Sequence, residues 1–292
     1  MSGFRNAILS LIPSRLILFI SRNQWRSRTL RRICAWGASS LKGQDTVILR
    51  GTGAGLKLNV AGSHSGFILG THEPEVQQLL AAILRPGMVY YDAGANVGFF
   101  AVIAARLVGP SGQVVCFEPL PSNARQIEHN ARLNGFSNIS ILSEALGGSN
   151  RTEAFQTSAE PTWGSLATVG KAPDQASGQI EVNVRTLDSM EAMNRLRPPD
   201  VFKIDIEGAE EEALNGARNT LAASRPILII ELHNTNAAVT SILESMGYVS
   251  AVLGSPVAVR DVNWDANIVA VPRERQDLLE SAAPFSEGLA VK

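Results

Sequence analysis

Residues 89–100 restrict this chain most: the apolar run Val89-Tyr90-Tyr91 ends in Asp92 and passes directly into Ala93-Gly94-Ala95-Asn96-Val97-Gly98, then Phe99-Phe100. An apolar strand that ends in a glycine-spaced turn and resumes as an apolar helix opens a βαβ unit, and the glycines let a ligand approach bare backbone. The acid ahead of the glycines selects the ligand's charge. It would repel a pyrophosphate and attract an ammonium or a sulfonium, while the free N–H groups of the first helical turn suit a carboxylate. S-adenosylmethionine carries all three groups. After the next apolar run, Gln113-Val114-Val115-Cys116-Phe117, Glu118 precedes Pro119, where a carboxylate can accept both hydroxyls of a ribose. Taken singly, each part also reads as an ordinary βα turn with the acid as a helix cap. The order strand, Asp92, Gly94, Gly98, helix, strand, Glu118 favours the cofactor.

The alternation continues along the chain. Strands are expected over 89–92, 113–118, 139–143, 201–206, 226–232, 248–253 and 267–271, with helices over 97–107, 122–134, 209–222 and 237–246 between them. Seven core strands result, an α/β fold with parallel strands and right-handed crossovers. A hairpin of 46–50 with 56–60 and a helix over 75–84 come first. Regularity lapses between 147 and 188, where strands 152–157 and 179–184 flank a loop with Trp163 near its tip; the segment of about 150–185 reads as an inserted hairpin. In open α/β sheets the ligand lies beyond the carboxyl ends of the strands. Asp92, Glu118, Glu144, Asp205 and Glu231 all fall at or just after such ends, so one crevice is expected to gather five carboxylates. Acids crowded in this way raise one another's pKa and cost stability.

An apolar content of 45% over 292 residues suffices for the core of one α/β domain, placed at 45–272, with a polar tail over 273–292. Cys34 and Cys116 are the only cysteines, which argues against a disulfide framework or a structural zinc and for the reducing cytoplasm. The net charge of −1 conceals an asymmetry: residues 1–44 carry eight basic side chains and no acid, leaving a body of about −9. Within that arm Phe4, Ile8, Leu11, Ile12, Leu16, Phe19 and Ile20 recur at helical spacing, although Pro13 interrupts them, and the run Leu16-Ile17-Leu18-Phe19-Ile20 is too short to span a bilayer. A basic amphipathic helical arm of this kind suits peripheral contact with an anionic inner membrane face. It equally suits packing on its own domain or on a second subunit. The acidic body opposes a nucleic-acid partner.

Several segments together resemble the FkbM family of S-adenosylmethionine-dependent methyltransferases. They are Thr71-His72-Glu73-Pro74-Glu75, Asp92-Ala93-Gly94-Ala95-Asn96-Val97-Gly98, Phe117-Glu118-Pro119, Thr186-Leu187-Asp188, Lys203-Ile204-Asp205-Ile206-Glu207-Gly208-Ala209-Glu210 and Glu231-Leu232-His233. The likeness covers about residues 66–271, and the lysine-to-glutamate segment is its most specific piece. It implies a class I methyltransferase (Rossmann-like) sheet of seven strands, the last antiparallel, with helices on both faces. It also implies methyl transfer to a hydroxyl of a sugar, polyketide or related small-molecule acceptor. By that resemblance Asp92, Gly94, Asn96 and Gly98 line the methionine end of S-adenosyl-L-methionine, Glu118 the ribose, and Glu144 with Ala145 the adenine. Ala101 departs from the family, whose members often place Ser or Thr there.

Methyl transfer to an alcohol needs alignment of donor and acceptor and removal of the hydroxyl proton. Lys203, Asp205 and Glu207 alternate at a strand end and should share one face of the pleat. Asp205 and Glu207 could then position the acceptor or hold a divalent cation such as magnesium, with Lys203 keeping them ionised. The alternative is a structural ion pair, with Glu207 and Glu210 as first-turn helix charges. His233 has the pKa of a general base and Glu231 is placed to orient it, although a hydrogen-bonded strand-end histidine is as good a reading. His72 is a weaker candidate, as a lid on the cofactor. Trp163 and Trp264 offer aromatic faces to a saccharide, or plug the core. A nicotinamide dehydrogenase is disfavoured, because Asn96 stands where its second glycine should be. A non-catalytic cofactor-binding or membrane-recruitment module is the remaining alternative.

Overall fold

The structure, a computed structural model, describes residues 43–63, 66–158, 164–168, 176–194, 196–262 and 265–282. Residues 1–42 of the basic arm, Trp163, Trp264 and the last ten residues lie outside them. Thr46–Val47 (β1) and Lys57–Leu58 (β2) pair antiparallel as a short hairpin, followed by helices Gly66–Leu69 (α1) and Pro74–Ile83 (α2). Then come Val89–Ala93 (β3), Phe99–Val108 (α3), Gln113–Phe117 (β4), Pro121–Leu133 (α4) and Ile139–Leu142 (β5). The insertion contributes Ala145–Leu146 (β6), Arg151–Ser158 (β7), Gly164–Leu166 (β8) and Ala176–Arg185 (β9). Leu187–Asn194 (α5), Val201–Ile204 (β10), Glu210–Asn215 (α6), Arg218–Ser224 (α7), Ile227–Leu232 (β11), Asn236–Ser245 (α8), Tyr248–Val252 (β12), Ala266–Pro272 (β13) and Asp277–Ala282 (α9) complete the order.

Seven strands form one sheet in the order β12-β13-β11-β10-β3-β4-β5, with β13 antiparallel to both neighbours and the β11-β10-β3-β4-β5 pairings parallel. This is the class I methyltransferase arrangement that the resemblance implied. Its near-continuous apolar strands follow from burial on both faces. Tyr90, Val114, Cys116, Val201 and Ile229 meet α2 and α3 on one side; Tyr91, Val115, Phe202, Ile204 and Ile230 meet α5 to α8 on the other. Strand order reverses between β3 and β10, where an open α/β sheet leaves its crevice.

Three features differ from the sequence expectation. The insertion is a four-stranded sheet, β6-β9-β7-β8, because the two-residue β6 and three-residue β8 are too short to show a period. The helix expected over 209–222 is two helices: a Cβ at Gly216 would fall on the Gly147 carbonyl oxygen, so this close approach ends α6 and α7 starts anew. Helix α5 was not expected at all; Thr186 Oγ1 accepts the Ser189 N–H at 3.2 Å and starts it. Asp188 accepts the Thr220 N–H at 2.9 Å and the Asn219 N–H at 3.1 Å, so the acid of Thr186-Leu187-Asp188 serves the first turn of α7.

Candidate cofactor and acceptor site

Asp92 occupies the fourth position of β3, in register with Lys203 on β10 and Cys116 on β4. It is 1% exposed, and neither carboxylate oxygen has a hydrogen-bond partner. Directly after it the backbone turns at Gly94, with φ +76°, where a Cβ would fall on the Asp205 carbonyl oxygen. Only glycine permits β3 and β10 to part there at this spacing. Asn96 follows with φ +53°, a region asparagine tolerates better than most residues. Its N–H donates to Glu118 Oε2 at 2.8 Å, and the Leu120 N–H donates to Glu118 Oε1 at 3.0 Å. Glu118 thereby clamps the turn from β4 and keeps acceptor capacity for hydroxyls. Helix α3 begins beyond Gly98 without a side-chain cap, which leaves first-turn N–H groups for a ligand carboxylate.

Burial pushes the Asp92 carboxyl up to about 7, aided by Asp205 and Glu73 and opposed by Lys203. Burial likewise pushes Glu118 up to about 7, against the amides of Leu120 and Asn96. A buried, unpartnered carboxylate beneath bare backbone gains most from a cation. The ammonium and sulfonium of S-adenosylmethionine fit that requirement.

Beside Asp92, Lys203 is 1% exposed, with Nζ 2.8 Å from Asp205 Oδ2 and 4.9 Å from the centre of the Phe100 ring. Burial works against its charge, but Asp205, Glu73 and Asp92 outweigh burial and hold the proton firmly. Burial, then Asp205 and Glu73, push Glu231 up to about 10, so it carries a proton. Asp205 stays ionised despite burial, because Lys203 and His233 lie beside it. Glu73 joins this group unanticipated. It sits at φ +39° just ahead of Pro74, its Oε1 is 2.6 Å from His72 Nε2, and its buried Oε2 has no hydrogen-bond partner. An acid before a helix-starting proline reads as an ordinary end charge, so spacing alone did not mark it.

His233 and Glu207 sit otherwise than the sequence suggested. The ring's Nδ1 is 3.0 Å from Glu210 Oε1, so Glu210, not Glu231, orients it. Glu210 is fully buried and also accepts from Thr235 Oγ1 at 2.8 Å and the Gly208 N–H at 2.9 Å. Because β10 ends at Ile204, the alternation does not reach Glu207; its backbone turns at φ +55°, and its Oε2 lies 3.5 Å from His233 Nε2 instead of at Lys203. Burial would lower the His233 pKa, but the Glu210 hydrogen bond and the charges of Asp205 and Glu207 raise it to about 9. At neutral pH the ring is an imidazolium, which cannot accept a proton. Asp205, Glu231 and His233 do present ligand atoms within 4.8 Å of one another. With both ring nitrogens facing carboxylates and Lys203 already on Asp205, this donor set does not fit a divalent cation.

Of the five strand-end acids, Asp92, Asp205 and Glu231 converge around Lys203, and Glu118 stands one strand away. Glu144 does not join them: it precedes the buried Ala145 of β6, which pairs with Val184 of the insertion. The insertion packs Phe155, Leu166 and Val182 on Leu120, Ala145 and Ala209, so it walls the crevice from Glu118 to the 206–210 turn.

The Methyltransferase FkbM domain matches residues 92–250, more than half of the chain. The chain is 26% identical over 162 residues to the hexuronic acid methyltransferase AglP of Haloferax volcanii, covering 55% of this chain and 62% of that protein. It is 25% identical over 161 residues to the 2-O-methyltransferase NoeI of Sinorhizobium fredii, covering 51% of this chain and 65% of that one. The 31-O-demethyl-FK506 methyltransferase FkbM of Streptomyces tacrolimicus is 26% identical over 56% of this chain and 74% of its own length. Among solved structures, methyltransferase FkbM from Methylobacillus flagellatus overlaps with a TM-score of 0.44 at 17% identity, covering 71% of this chain and 55% of that one. With the turn, the paired carboxylates and the matched domain in one place, the chain belongs to the FkbM-domain methyltransferase family.

Proposed function

We propose that this chain transfers the methyl group of S-adenosylmethionine to a hydroxyl oxygen of a sugar, glycolipid or secondary metabolite. The observation that carries the reading is Asp92, fully buried with both oxygens unpartnered beneath a turn of bare backbone. The cofactor supplies a methyl group on a cationic sulfur, open to in-line displacement. Asp92 faces its cationic end, the first turn of α3 its carboxylate, Glu118 its ribose hydroxyls, and Glu144 with Ala145 its adenine. Asp205 and Glu207 accept the hydrogen bond of the acceptor hydroxyl, aim its lone pair and take its proton as the new bond forms. Lys203 keeps Asp205 ionised, and the cationic His233 steadies Glu207.

Calorimetry on the full chain tests the first half: S-adenosylmethionine and S-adenosylhomocysteine should both release heat, and silence with both overturns the reading. Transfer of labelled methyl to a panel of sugars and lipids tests the second. Asp205→Asn is expected to lower kcat about 100-fold with cofactor affinity unchanged, as for loss of a positioned proton acceptor. The same reading extends to location. The eight basic and no acidic side chains of residues 1–44 support contact with the anionic inner face of a membrane, where a lipid-linked acceptor would be presented.

A further inference from the structure

The edge of β2 that faces away from β1 is closed by two asparagine side chains instead of a strand. Asn134, just beyond α4, accepts the Lys57 N–H at 2.8 Å and donates to the Lys57 carbonyl at 2.7 Å. Asn130, one turn earlier, does the same for Asn59 at 2.8 and 3.0 Å. The match is one of pitch, since four helical residues rise about 6 Å and two strand residues about 6.7 Å. The two amides differ in where the second N–H goes. Asn134 gives it to the Asn130 carbonyl of its own helix at 2.8 Å, whereas Asn130 gives it to the Val97 carbonyl at 2.8 Å. Val97 ends the turn that begins at Asp92, and α4 presses on the same peptide a second time: a Cβ at Gly98 would lie 3.2 Å from the Ile127 side chain. Asn130 is 0% exposed, so water cannot replace these bonds. Its oxygen meets one N–H and its nitrogen meets two carbonyls, a pattern that an amide satisfies and a carboxylate does not.

We infer that Asn130 is a positioning residue for the cofactor: by fixing the Val97 carbonyl it sets the course of the turn between Asp92 and α3, and with it the fit of the amino-acid end of S-adenosylmethionine, without touching the ligand. The ribose end depends on Glu118, which the Leu120 N–H holds independently. The inference rests on the cofactor reading and adds to it a side chain outside the strand-end crevice.

Calorimetry on the full chain compares S-adenosylhomocysteine with 5′-methylthioadenosine, which keeps the adenosine and the thioether and lacks the amino acid. Asn130→Ala should weaken S-adenosylhomocysteine at least about tenfold, the scale of a buried hydrogen bond lost with its partners stranded, and 5′-methylthioadenosine no more than about twofold. Asn134→Ala is the control: it loosens the same hairpin and lowers the melting temperature too, yet should leave S-adenosylhomocysteine within about twofold. In the unaltered chain, S-adenosylhomocysteine should slow hydrogen exchange at residues 57–59 together with 97–101, because Asn130 ties the two, so the inference is tested even where Asn130→Ala does not fold. Equal losses in the two variants, an Asn130→Ala affinity unmoved, equal weakening of both ligands, or no slowing at 57–59 would overturn the positioning role. The two variants decide by themselves where 5′-methylthioadenosine binds too weakly to measure. Failure of S-adenosylhomocysteine to bind the unaltered chain would overturn the cofactor reading instead.

Discussion

Asp92 gives the sharpest residue-level expectations, because its burial harms the empty protein and serves the loaded one. Asp92→Asn should weaken cofactor binding about 10- to 100-fold, by loss of a charged partner, yet leave the melting temperature equal or higher at pH 8. Since a bound cation favours the charged carboxyl, cofactor binding below pH 7 should release protons. Calorimetry in buffers of different ionisation enthalpy will count them, and affinity should rise with pH up to about 7. His233 acts in another window. Its pKa is raised from 6.5 to about 9 on folding, so its contribution is fully present below pH 6.5 and is lost as pH climbs toward 9. Urea unfolding should show a decline on the order of 2–3 kcal/mol over that range, and His233→Ala should flatten it. Glu118 adds a third expectation. Its two oxygens each accept a backbone N–H, so Glu118→Gln sets donor against donor at one of them. Cofactor affinity should drop at least tenfold despite the near-identical shape.

Among elements, the inserted sheet is joined to the crevice by Arg151, whose guanidinium meets Glu153 and Glu212 at 2.6 and 2.7 Å. Arg151→Ala should cost on the order of 1 kcal/mol and appear as faster hydrogen exchange in β7 and β9, with β3 and β4 unchanged. The long periodic segments were legible from sequence. β3, β4, β10, β11 and β13 lie within two residues of their expected ends, because strands buried on both faces leave continuous apolar runs. The insertion was half legible: β7 and β9, of eight and ten residues, contain the expected strands 152–157 and 179–184, whereas β6 and β8 exist only through their partners. The same reason explains Glu73 and Glu210. Each reads by its local pattern as an acid at a helix start, and only the fold turns it inward to a lysine or a histidine. Asp92 and Glu118 were visible because their strands aim them without help.

At the scale of the whole molecule, residues 1–44 concentrate positive charge that the remainder lacks. A chain that begins at Asp45 should bind anionic vesicles at least tenfold more weakly than the full chain at 0.1 M salt, and high salt should erase the difference. Equal binding would show that the arm does not serve a membrane. Among the described residues no helix is long and apolar enough to cross one. The sheet's order has a further consequence during synthesis. Its central pairing joins β3 to β10, so the Val89 N–H meets Asp200 across 111 residues of chain. Until those residues have left the ribosome, one edge of β3 is an open row of amides and carbonyls flanked by apolar side chains. A nascent chain in that state is sticky, and slowed elongation between residues 150 and 200 should raise its aggregation more than slowing after residue 232.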